Sequence, residues 1–216
     1  MQVAGPTAAL AGVPAGIQGA GPWLGRRQLF VRFAAEAETA TMFTAGALCQ
    51  ELGRLAKRAV YHSIAISGRD PLANADYLAA VFGGSLPLPT MLDTDGERAD
   101  ELDQVLRHLA LLQVTINGQP SDAAVERAMA SLAAARSAGV EHALVLCPTE
   151  QTTDSQLLRT VEQANGASDG VQVVLHPPTG VPIDRDRRWL TLMESANALH
   201  ADVRLMFRIP PPVGMR

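Results

Sequence analysis

Short apolar runs alternate along this chain with stretches of helical spacing. Residues 28–33 (QLFVRF) read as a short strand. In 43–57, Leu48, Leu52 and Leu55 recur at helical spacing and Lys57 and Arg58 stand near the end, which predicts an amphipathic helix. The β-branched and aromatic run 59–66 (AVYHSIAI), stopped by Ser67-Gly68, predicts the next strand. Asn74 is placed to cap a helix over 75–82, and a strand at 88–93 leads through Asp95-Gly96 to a helix over about 98–109. The second half keeps the rhythm, with strands at 110–116, 141–147, 171–175 and 202–207. Helices are expected between them: a long Ala-rich one from a Ser121 cap to about 138, then 154–165 and 186–199. Pro210-Pro211-Pro212 exclude regular hydrogen-bonded structure near the terminus.

This alternation predicts an α/β domain of βαβ units over residues 1–216, with a mostly parallel sheet. Residues 1–14, uncharged and rich in Ala, Gly and Pro, are expected to be a flexible or irregular N-terminal segment. Ligands of such sheets bind beyond the carboxyl ends of the strands. Function is therefore expected in the loops after residues 33, 66, 93, 116, 147 and 175.

Composition narrows the chemistry. With 18 Lys+Arg against 22 Asp+Glu, the net charge of −4 leaves no cationic excess to neutralise phosphates, so no nucleic-acid partner is expected. Cys49 and Cys147 cannot staple a secreted scaffold, complete a tetrahedral metal site or hold a cubane cluster by themselves. Lys57 is the only lysine and has no glycine-rich loop before it, which excludes a P-loop and leaves one candidate for Schiff-base chemistry. Pro6, Pro14 and repeated glycines interrupt the N-terminal apolar stretch, so neither a signal peptide nor a membrane span is expected, and the chain reads as cytoplasmic.

Three loop features carry candidate chemistry. Gly19, Gly21 and Gly25 precede a strand containing Arg32, a pairing of pliable backbone with a guanidinium that suits a carboxylate or other planar anion. Ser67-Gly68-Arg69-Asp70-Pro71 leaves a strand directly; its amides can bind a carboxylate and Asp70 can receive an amine. Asp93-Thr94-Asp95-Gly96 resembles the opening motif of the haloacid dehalogenase family, with Thr115 ending the next strand where that family carries a hydroxyl. That family's lysine would have to follow, and none does; Asp184 and Asp186 are the only echo of its later acidic loop. The five histidines do not cluster, and no Gly-x-Ser-x-Gly elbow is present.

Taken in series, these segments resemble 7-carboxy-7-deazaguanine synthase, a radical S-adenosylmethionine (SAM) family. Gly16-Ile17-Gln18-Gly19-Ala20-Gly21, Gly25-Arg26 and Phe30-Val31-Arg32-Phe33 follow its I-Q-G-E-G, G-R-P and F-x-R-F pattern without a gap. Ser67 to Leu72 resembles its T-G-G-E-P-L turn, Asp93 to Gly96 its E-T-N-G, and Val203-Arg204-Leu205 with Gly214 its C-terminal motif. The resemblance implies a partial (β/α)6-type barrel of about six parallel strands with an N-terminal β-hairpin. It also implies a homodimer and a pterin-like substrate contacted by Ile17, Gln18, Gly19, Arg32 and Ser67, with Arg32 on its carboxylate. Gly68, Arg69, Asp70 and Asp93 fall on the SAM side.

The departures are chemical. The family's three cluster cysteines fall on Glu36, Ala40 and Phe43, so the 4Fe-4S site is lost. Arg69 replaces a glycine that approaches the SAM methionine group, and no Mg²⁺ site is carried over. The expectation is a pseudoenzyme that keeps the old cavity for a pterin- or 7-deazapurine-like ligand or a protein partner, with no cofactor. Two alternatives stay open. One is a repurposed enzyme using Asp70, Asp93 and Asp95 as acid, base or Mg²⁺ ligands; the other is a functional synthase whose cluster is held in another way.

Overall fold

The computed structural model describes residues 5–178, 181 and 187–206. An N-terminal run of three strands, β1 (Thr7–Gly12), β2 (Ala15–Ile17) and β3 (Arg27–Phe33), is followed by β4 (Thr41–Thr44) and helix α1 (Ala45–Ala56). Then come β5 (Ser63–Gly68), α2 (Ala75–Phe82), β6 (Thr90–Thr94), the one-turn α3 (Ala99–Leu102) and β7 (Leu111–Asn117). The chain continues through α4 (Asp122–Ser137), β8 (Glu141–Cys147), α5 (Asp154–Ala167), β9 (Gln172–Leu175), α6 (Arg187–Asn197) and β10 (Val203–Leu205).

The ten strands form one sheet in the order β10-β9-β8-β7-β6-β5-β3-β1-β4, with β2 also paired to β3. From β3 to β10 the neighbours are parallel and in chain order, whereas β1, β2 and β4 pair antiparallel. A parallel sheet whose order never reverses is wound in one direction, and the usual right-handed crossovers then send every helix to the same face. The burial pattern agrees. Leu29, Val31, Ile64, Ile66, Leu92, Leu112, Val114, Leu144, Leu146, Val173 and Leu175 join Leu48, Leu52, Leu78, Leu132, Val161 and Trp189 of the helices in one apolar core. The alternate strand residues Ala65, Met91, Leu111, Ala143, Val145 and Val174 are equally buried but lie outside that core, on the opposite face.

The opposite face is contacted by the Gln18–Arg26 loop between β2 and β3 instead of a helix. Gly21 lies so close to β7 and β8 that a Cβ on it would stand 1.8 Å from Gln113 Oε1 and 3.3 Å from Val145 Cγ2. The Trp23 ring meets His62 edge-on, 4.8 Å between centroids. Burial holds the His62 imidazole below its ordinary pKa, with Arg26 adding a smaller push in the same direction.

Most predicted elements are present, and the differences have physical causes. Thr7–Gly12, expected to be irregular, is strand β1, held between β3 and β4 by cross-strand pairing (Leu10 with Phe33, Thr7 with Thr44). The run at 59–66 becomes strand only from Ser63, because Tyr61 and His62 turn toward Arg27 and Trp23. The helix expected over 98–109 is α3 plus a separate 3₁₀ turn at Leu106–His108. Ser121 and Thr153 cap α4 and α5 through their hydroxyls, while Asn74 makes no side-chain cap. The expectations for Asp184, Asp186, Pro210 to Pro212 and Gly214 lie outside the described residues. No helix among the described residues is long and apolar enough to cross a membrane.

Two outcomes follow from this packing. Gly68 has φ +104°, and a Cβ there would stand 2.3 Å from the Phe33 carbonyl, whereas Gly139 (φ +69°) has nothing within 4 Å. Gly68→Ala is expected to cost more than about 2 kcal/mol and Gly139→Ala about 1 kcal/mol, measured by urea unfolding. His62 has a lowered folded pKa, so below its ordinary value of 6.5 the unfolded chain takes up the proton more readily and stability falls as pH drops. The midpoint lost between pH 7 and pH 5 is accordingly expected to be smaller in His62→Gln than in the wild type.

Candidate functional site

The carboxyl ends of β5, β6 and β7 lie side by side, and the loops leaving β5 and β6 rise from them. Between them lies an open groove of about 750 Å³, lined by Arg69, Asp70, Asp93, Asp95, Arg98 and Thr115 among others. The sequence placed four of these in the expected loops. The sheet makes them neighbours.

Each groove side chain has a definite partner or lacks one. Asp70 adopts the left-handed region (φ +42°), alone among described non-glycine residues, and both its carboxylate oxygens accept from Arg98 Nε at 2.8 and 2.9 Å. Donation to the Asp70 carboxylate holds the Arg98 guanidinium above its ordinary pKa. Asp95 accepts from the backbone N–H of Glu97 at 3.0 Å, closing an Asx turn. The Thr115 hydroxyl donates to Asp93 Oδ1 at 2.7 Å and accepts from Gln113 Nε2 at 3.2 Å. Arg69 is exposed, its backbone N–H is fixed on the Phe33 carbonyl at 3.1 Å, and its guanidinium makes no ion pair among the described residues. The groove thus offers one unpaired cation beside acidic groups that are partly satisfied.

The five residues expected on the substrate side do not converge. Arg32 and Ser67 are register partners on β3 and β5; Ser67 precedes the groove-lining Gly68, and Arg32 lies one strand further out. Arg32 is already engaged: its Nη2 donates to Glu38 at 2.9 Å, and Glu38 also accepts from the Ala35 N–H. Gln18 is buried and closes the base of its own loop, donating to Arg26 O, accepting from Gly25 N and donating through Nε2 to Ala20 O, each at 2.9 Å. Gly19 follows it in the same loop. Ile17, 52% exposed, pairs with Arg27. Five residues of strand, about 16 Å, separate that end of β3 from Arg32.

The cluster positions do not fit iron. Glu36 and Ala40 are exposed, and Phe43 lies in β4 opposite Ala8, packed against the apolar core. The nearest thiol in sequence, Cys49, donates from α1 to the Val81 carbonyl at 3.4 Å, and burial raises its pKa, which disfavours the thiolate a cluster needs. Arg69 is among the residues that line the groove. Among the described residues no group of three or more His, Cys, Asp or Glu side chains is arranged to hold a metal ion, so Asp70, Asp93 and Asp95 do not form one site.

Sequence reading missed Glu38 and Arg98. Glu38 lies in the loop read only for its missing cysteines, and Arg98 is separated from Asp70 by 28 positions, beyond any local pattern. Because Asp70 and Arg98 are 34% and 44% exposed, Arg98→Ala is expected to leave the urea midpoint close to wild type while freeing the Asp70 carboxylate. Compared with protein-family models and with curated proteins, the chain matches none.

Proposed function

We propose that this chain is a degenerate relative of 7-carboxy-7-deazaguanine synthase, a partial (β/α) barrel that binds a pterin- or 7-deazapurine-like acid without radical chemistry. The observation that carries the reading is the rim groove, in which the unpaired Arg69 guanidinium stands among Asp93, Asp95 and Asp70. An anionic substituent suits the guanidinium, and an amino-lactam edge rich in N–H donors suits the carboxylates. The sequential parallel order of β3 to β10 supports barrel-type winding over a doubly wound sheet, whose order reverses at a switch point.

In this reading the ligand's acid sits on Arg69, since Arg32 already carries Glu38. Glu38 comes from the loop that replaces the cluster-binding loop, between the positions of the first two lost cysteines, and supplies an internal carboxylate for Arg32. The arrangement favours binding over metal-dependent chemistry, because Asp70 is tied to Arg98 and Asp95 to its own turn.

Calorimetric titration with a 6-carboxypterin is expected to show binding that weakens about tenfold or more in Arg69→Ala, the loss of one charge-assisted contact, and changes little in Arg32→Ala. Anaerobic reconstitution with iron and sulfide is expected to leave no protein-bound absorbance near about 400 nm, the region of thiolate-bound clusters. Absence of binding to the wild type, or a stoichiometric cluster, overturns the reading.

A further inference from the structure

The polar chain of the groove continues under the Gln18–Arg26 loop. Asp93 accepts from Thr115, Thr115 accepts from Gln113 Nε2, and Gln113 itself is fully buried on the sheet face opposite the helices. Its other amide atom, Oε1, has no hydrogen-bond partner. An orphaned buried carbonyl is costly, and native structures rarely leave one without a reason. This one is turned toward Gly21, the residue whose lack of a side chain lets the loop lie against it.

The loop is closed on itself by its own backbone. Its base is closed by Gln18 N to Arg26 O and Gly25 N to Gln18 O, both 2.9 Å, and its interior by Leu24 N to Gly21 O and Arg26 N to Trp23 O, both 3.0 Å. Against the sheet it is held far more lightly. A long 3.3 Å bond from Gly21 N to His176 Nε2 and the edge contact of Trp23 with His62 are its specific attachments among the described residues. Gly21 and Gly25 both have positive φ, and Gly25 has open space around it.

We propose that the Gln18–Arg26 loop is a gate, with Gly21 as its stopper, and that its opening extends the rim groove inward to Gln113, whose free carbonyl then receives an N–H or O–H donor of the occupant. This rests on the groove being a binding site. It adds where the buried end of the ligand goes and what must move first. A ligand donor on Gln113 Oε1 satisfies the atom that the closed state leaves bare, so binding and opening favour each other.

Hydrogen exchange on the ligand-free protein tests the gate directly. The loop amides of 19–21 and 23–25 are expected to exchange at least about 100-fold faster than those of β7 and β8, through local opening. Gly21→Ala, which puts a methyl against Gln113, is expected to speed loop exchange about tenfold and to increase acrylamide quenching of Trp23, with Trp189 shielded in the core. Gln113→Leu removes the orphaned carbonyl and is expected to slow loop exchange and raise Tm. Loop amides that exchange only at the rate of β7 and β8 overturn the gate. So does a Gln113→Leu protein with faster loop exchange or a lower Tm, since the carbonyl would then be stabilising the closed state. Because none of these readouts needs a ligand, failure of the pterin titration with an opening loop would sink the binding reading and leave the gate standing.

Discussion

One constraint organises the molecule: a parallel sheet laid down in chain order places its helices on a single face. That face is covered cheaply, since each βαβ unit brings its own amphipathic helix and alternate strand residues point into it. The other face then needs cover from elsewhere. Here a loop contacts it, and a loop backbone can approach a sheet closely only where a side chain is missing. Gly21 meets that condition over Gln113 and Val145. The fold's economy on one side thus creates its most conditional contact on the other.

The same geometry explains why the rim groove is polar. Where parallel strands end, their last inward-facing residues and the first loop residues have no helix above them. Asp93, Thr115 and the Ser67–Asp70 turn sit there, hydrogen-bonded to one another or to Arg98. Their mutual satisfaction matters for function as much as their presence. Asp70 pairs with Arg98 and Arg32 with Glu38, whereas Arg69 makes no ion pair among the described residues. Residue type alone would have given all three arginines the same standing.

The loop between β3 and β4 is anchored by side-chain contacts. Phe43 packs on the core from an edge strand, and Glu38 turns back to Arg32, so the segment is tied to the sheet by a side-chain contact at each end.

Local spacing specifies the α/β alternation and the positions of most elements, the short strands β2 and β4 excepted, because hydrophobic period and caps such as Ser121 and Thr153 act within a few residues. The loops that carry the acidic and cationic groups are legible there too. Local spacing misreads Thr7–Gly12, where an Ala- and Gly-rich run with weak strand preference is made a strand by its two neighbours. The fold alone settles which charges neutralise each other, since Arg98 and Asp70 meet across adjacent strand ends. Only it separated Ile17 from Arg32, five strand residues apart though counted as one motif, and set Gly21 against Gln113. The reason is the range of the forces: secondary structure is written in spacings of two to four residues, whereas a site is made by register between strands far apart in the chain.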